Sequence, residues 1–193
     1  MAMIDDFKAN LQGGGARQNQ YRVTITAPTG IAIDLDVTRA SYMVKATNLP
    51  SMVMTPIEVP FRGRKIYIAG DRDFPDEWTT TFINDTDFMI RNAMERWSNG
   101  INDLAKNTGV VRPSDYQADL IVEQLDRDDA VLKSYKFINA WPTSIALIEL
   151  TSDAADALEE FAVTWRYQHF ETSNVSGNMP SFSVTGTFAF GHT

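Results

Sequence analysis

Cysteine is absent from the 193 residues. That excludes disulfide staples and thiolate metal sites, and fits assembly in a reducing cytoplasm. Only two histidines, His169 and His192, are present, so a histidine-based metal centre or acid–base pair is poorly supplied. No apolar run approaches the roughly 18–20 residues that cross a bilayer, so no membrane span is expected. The opening MAMIDDFKANLQGGG has neither a basic segment nor a long apolar one, and no secretory leader is expected there. Basic residues are in the minority: 17 Lys and Arg against 25 Asp and Glu leave a net charge of −8. Affinity for nucleic acid draws mainly on Lys and Arg at phosphates. The acidic balance therefore fits a protein that stays apart from DNA, or one that touches it without sticking.

Motifs that carry chemistry are missing too. No serine sits in a G-x-S-x-G elbow. Gly13-Gly14-Gly15 precedes no Lys-Ser/Thr pair and follows no strand, which removes a phosphate-binding loop. The run DRDFPDE, residues 71–77, lacks the spacing of a calcium loop. Asp126, Asp128 and Asp129 lie at an expected hairpin tip, where like charges are readily solvated. His169 alternates with the apolar side of its strand, the position of a core or interface residue. No convergent catalytic set, no metal site and no cofactor are expected.

The patterns that are present belong to a mainly β chain. Residues 21–27, 31–37, 42–47, 57–61, 65–69, 78–84, 120–125, 132–140 and 158–171 read as strands by period-two alternation or short apolar runs. Trp141-Pro142-Thr143 is expected to stop the strand before it. One principal helix is expected over about 86–106, with Asp85 or Thr86 as its cap. Strands that follow one another without helical crossovers favour antiparallel pairing. The expected fold is thus an antiparallel β-sandwich or barrel-like domain over 16–171 with one flanking helix. Trp78, Trp97, Trp141 and Trp165 are its expected core anchors. Ile4, Phe7 and Leu11 share one face of a short N-terminal helix within an arm, 1–15. This is either a frayed end or an arm that docks on a partner. A C-terminal extension, 172–193, adds an expected strand at 181–190.

The most informative stretch is 45–85. Two strands joined by the basic turn Arg62-Gly63-Arg64 are followed by the charged loop Asp71-Arg72-Asp73. Arg62, Arg64 and Lys65 suit an acidic surface on a neighbouring molecule.

Lys45-Ala46-Thr47-x-Leu49-Pro50, Val59-Pro60-Phe61, Arg64-Lys65-Ile66, Ala69-Gly70-Asp71-Arg72, Phe74, Asp76, Trp78-Thr79 and Asn84-Asp85 closely resemble the tail tube proteins of contractile-tailed bacteriophages. Ala16-Arg17-x-Asn19, Trp141-Pro142-Thr143 and Phe161-x-Val163-Thr164 extend the likeness over most of 3–171. The 31–38 segment and the extension from 173 onward go beyond the family pattern. The resemblance implies a structural virion subunit, assembled in the host cytoplasm, that forms hexameric rings stacked into a hollow tube. Hairpins of neighbouring subunits would join into one barrel around a channel for viral DNA. Implied partners are further copies, the tail sheath protein, baseplate or tube-initiating proteins and tail-terminating proteins. Hairpins 57–69 and 120–140 become candidate channel walls. Arg62, Arg64, Lys65, Asp71, Arg72 and Asp73 become candidate subunit contacts, and Ile4, Phe7 and Leu11 a candidate inter-ring arm. A channel that repels phosphate would carry acids, and Glu58, Asp119, Glu123 and Asp126 are the candidates. Two alternatives remain in view: the inner tube or tube initiator of a contractile injection system, and a monomeric ligand-binding β-sandwich.

Overall fold

Every second residue of the central strands is apolar or buried, and that alternation builds the sheet. The computed structural model describes residues 2–11, 15–153 and 156–173; the strand expected at 181–190 lies outside them. Four helices are described, α1 (Ala2–Asn10), α2 (Val37–Tyr42), α3 (Met89–Ile101) and α4 (Pro113–Tyr116). The strands are β1 (Tyr21–Ile25), β2 (Val44–Thr47), β3 (Val53–Phe61), β4 (Arg64–Asp73), β5 (Trp78–Ile83), β6 (Ala118–Leu125), β7 (Val131–Ile145), β8 (Glu160–Arg166) and β9 (His169–Thr172).

The main sheet runs β1–β6–β7–β8–β5–β2, with β9 also paired to β7, and every ladder is antiparallel. β7 is its seam. Its first part pairs with β6 and β9 and its last part with β8. Asn139 sits between those parts at φ 55°, a left-handed conformation that bends the strand. The two ends of the sheet then come together: the Tyr21 hydroxyl lies 2.5 Å from the Lys45 carbonyl oxygen and 3.1 Å from that of Val44. No ladder joins β1 to β2, so the described barrel stays open.

Inside lie three fully buried tryptophans, each with its indole N–H satisfied. Trp78 donates to the Asn48 carbonyl at 2.8 Å, Trp97 to the Tyr116 carbonyl at 2.7 Å and Trp165 to the Thr80 hydroxyl at 2.8 Å. Burying an indole without a partner would cost several kcal/mol, about 2–7 for such polar groups. Trp141 is a correction to the expected core: it is only half-buried, edge-on to Tyr116. α3 closes one side through Ile90, Ala93, Met94 and Trp97. It lies within the expected 86–106 but starts later than expected. Phe88, at φ 54°, precedes it, while Asp85 and Asp87 accept the Thr86 and Met89 amides outside the helix.

Four further expectations are corrected. Residues 31–36 form no strand, because Gly30 donates its amide to the Asp115 carbonyl at 2.8 Å, so closely that a Cβ there would lie 2.4 Å from that of Asp115. Asp34 then turns at φ 54°, and Asp36 caps α2 through the amides of Thr38 and Arg39. The chain does not stop at Trp141-Pro142-Thr143; β7 continues, with Pro142 opposite Trp165 and a register shift just after it. The long strand expected at 158–171 breaks after Arg166, which reverses the alternation. Phe170 is buried and His169 is exposed, not on the apolar side. Finally, Asp71-Arg72-Asp73 ends β4 and is not a loop.

Arg39 of α2 ties the start of the helical region together. Its guanidinium bonds Asp87 at 2.6 Å and also pairs with Asp85. Those contacts, with the Thr86 and Met89 amides second, hold both carboxyls below their ordinary value of 3.8. A depressed carboxyl stabilises the fold above its unfolded value, and that stabilisation is lost as pH falls through the folded value. Arg39→Ala is therefore expected to lower the urea midpoint at pH 7 and to converge with the parent once both acids are protonated. A gap that stays constant down to acid pH would contradict the linkage.

Candidate assembly interface

β3 and β4 form a separate two-stranded sheet that pairs with no strand of the main one. Phe61 faces Arg64, Val59 faces Ile66 and Ile57 faces Ile68 across the ladder. Directly opposed residues share a face, so Ile57, Val59, Phe61, Ile66 and Ile68 make one apolar face. The other face carries Glu58 opposite Tyr67, Pro60 opposite Lys65 and Pro56 opposite Ala69. Every residue of β3 is exposed, including Phe61 at 55% and Ile57 at 53%. An isolated hairpin is marginal in water, and an uncovered apolar face adds to the cost. The hairpin is held at its base instead. Phe74 packs edge-on against Phe170 at 5.4 Å and Tyr167 at 6.5 Å.

The tip is a tight turn with two positive φ angles, 47° at Arg62 and 79° at Gly63. Such paired left-handed residues match the twist of a hairpin. Arg62 lies over the Phe61 ring at 5.4 Å, and Lys65 pairs with Glu58 at 2.8 Å. Arg62, Arg64 and Lys65 therefore cluster at the tip. Asp71, Arg72 and Asp73 lie at the opposite end, where Arg72 faces Met54 and Asp73 faces Val53. The sequence grouped these six residues; the fold separates them into two ends of one hairpin.

Asp119 and Glu123 stand on the solvent-side face of β6, whose other side buries Ala118, Leu120 and Val122. Each meets a cation: Lys136 lies 2.7 Å from Asp119 and Arg22 lies 3.7 Å from Glu123. With Glu58 and Lys65, three of the four candidate acids are thus paired. Reasoning from sequence missed Arg22 and Lys136, which only strand register brings across. Asp126 lies beyond β6 and accepts the Arg127 amide at 2.8 Å in the β6–β7 turn.

Asn48, Ser51, Asp76, Glu77, Trp78 and Tyr167 line an open cleft of about 260 Å³ beside the hairpin base. Ser51 donates to the Asp76 carboxylate, and burial, with Asp76 second, pushes the Tyr167 hydroxyl above 10.0. The cleft offers acceptors to a cation. α1 presents Ile4, Phe7 and Leu11, as the spacing predicted, and all three are exposed.

Comparison with known proteins accounts for these surfaces. A family model described as phage tail tube protein matches residues 16–173. The tail tube protein of Serratia phage KSP90 is 34% identical over 170 residues, covering 86% of this chain and 95% of that one. Tail tube protein gp19 of Enterobacteria phage T4 is 30% identical over 170 residues, covering 87% of this chain and 99% of its own. Among solved structures, a chain of the sheath–tube complex of an extracellular contractile injection system shares the fold, with a TM-score of 0.56 at 11% identity, over 83% of this chain and 93% of that one. The relatives are structural components of the virion. By the length and identity of these matches, the chain belongs to the phage tail tube protein family and is a tail tube protein of a contractile-tailed phage.

Proposed function

We propose that this chain forms six-membered rings that stack into a hollow tube, through which viral DNA passes into the host and around which the sheath assembles. The observation that carries the reading is the β3–β4 hairpin, whose apolar face nothing in the described chain covers. Ring closure between copies would cover that face and pair the hairpin edges that otherwise invite aggregation. Arg62, Arg64 and Lys65 at one end, and Asp71, Arg72 and Asp73 at the other, are suited to charged contacts between adjacent copies. Baseplate and terminating proteins would meet the ring faces at the two ends of the tube.

An apolar face is poorly suited to a water-filled channel. In this reading the Glu58 face of the hairpin and the Asp119–Glu123 face of β6 look inward. Their acids are paired with Lys65, Lys136 and Arg22, so the wall is charge-balanced rather than bare acid. A balanced wall neither grips phosphate nor presents a continuous repulsive field.

Negative-stain imaging of concentrated protein tests the assembly, with hollow tubes of uniform width and sixfold end-on views expected. A monodisperse monomer at every concentration, even with a tube-initiating complex added, would overturn it.

A further inference from the structure

We infer that α1 of one copy docks on the apolar face of the β3–β4 hairpin of a neighbouring copy; this rests on the tube reading and names the occupant of that face. Both partners are uncovered in the described chain. Ile4, Phe7 and Leu11 are 60%, 66% and 43% exposed, and Val59 and Ile66 on the hairpin are 37% and 47% exposed. At 100° per residue, Ile4, Phe7 and Leu11 lie on one stripe with Met3 at its margin, while Asp5, Asp6 and Ala9 lie on the other side.

The stripes match in length. From Ile4 to Leu11 a helix rises about 10 Å, and from Ile57 to Phe61 a strand rises about 13 Å. Their charges are opposite. Asp5 and Asp6 make no ion pair among the described residues, nor do Arg62 and Arg64 at the hairpin tip. A nine-residue helix is marginal alone, so a helix here calls for a surface to lie on. A strand of the neighbour would satisfy the hairpin's edges and leave its face open. A helix lying across the ladder covers the face.

The cysteine-free chain allows a direct test. Phe7→Cys and Val59→Cys, the middle of each stripe, are placed on separate chains, mixed, assembled and oxidised. Docking predicts at least about tenfold more cross-linked dimer in the mixture than in either variant alone, as the effective concentration of a docked pair requires. Tubes without that excess would overturn the docking and leave the tube reading intact. So would a chain carrying both substitutions that cross-links within itself as a monomer. A parent chain that forms no tubes would overturn the tube reading, and the docking with it. Phe7→Asp gives an arm without cross-linking: tube yield should collapse while thermal stability of the monomer is unchanged. Tubes at parental yield would again overturn the docking.

Discussion

Trp165→Ala is expected to destabilise the subunit by about 3–5 kcal/mol, the range for removing a fully buried aromatic. Trp165 is 0% exposed on β8, lies edge-on to Trp97 at 5.4 Å and tilts against Trp78 at 6.5 Å. Its loss therefore opens a void at the point where the sheet, α3 and β5 meet. It also removes the only hydrogen bond described for the hydroxyl of Thr80, itself 0% exposed, which adds a desolvation penalty. Domains of this kind have about 5–15 kcal/mol in total, so the variant would sit near its folding threshold. Urea unfolding followed by tryptophan fluorescence measures the change. Trp165→Phe should recover part of it, since the ring returns without the N–H. A loss below about 1 kcal/mol, the typical surface range, would show that the core does not depend on this contact.

Ile66→Asp is expected to act in the opposite way, abolishing assembly while sparing the fold. Ile66 is 47% exposed on the isolated hairpin, so a carboxylate there remains hydrated in the monomer and should shift stability by no more than about 0.5 kcal/mol. In a tube that covers this face, the same carboxylate is buried without a partner. An uncompensated buried charge costs about 3–5 kcal/mol, which raises the concentration needed for assembly at least about 100-fold. Sedimentation of polymer against concentration, beside urea unfolding of the monomer, separates the two effects. Polymer at the parental threshold would remove the apolar face from the interface. Glu58→Gln, on the opposite face, is the control, since it leaves the apolar face untouched.

Much of the fold could be read directly because short-range alternation and burial coincide. In β5, β6 and β8 one side faces a core that the strand's own neighbours supply, so the period of two in the sequence survives in the structure. The same pattern failed at 31–37. Alternation describes a strand only when an edge is available to pair with, and Gly30 is committed to Asp115 instead. It failed again after Arg166, because β9 leaves β8 to pair with the other part of β7. That exchange puts Phe170 inside and His169 outside. Proline misled similarly. Pro142 marks a register shift within β7 rather than its end.

The assembly surface divides along the same line. The Arg62-Gly63-Arg64 turn, the apolar alternation beside it and the N-terminal stripe of Ile4, Phe7 and Leu11 are local patterns, and composition alone set the acidic balance and the absence of cysteine. These, with the motifs of 45–85, were enough to place the chain in its family. Only the tertiary structure decided that the hairpin stands free of the main sheet, that Asp71-Arg72-Asp73 lies at its far end, and that Arg22 and Lys136 neutralise Glu123 and Asp119. The reason is range. Helical and strand periods are set by a few neighbouring residues, whereas ion pairs across a sheet depend on register between segments distant in the chain, and one residue of slip would send every side chain to the other face.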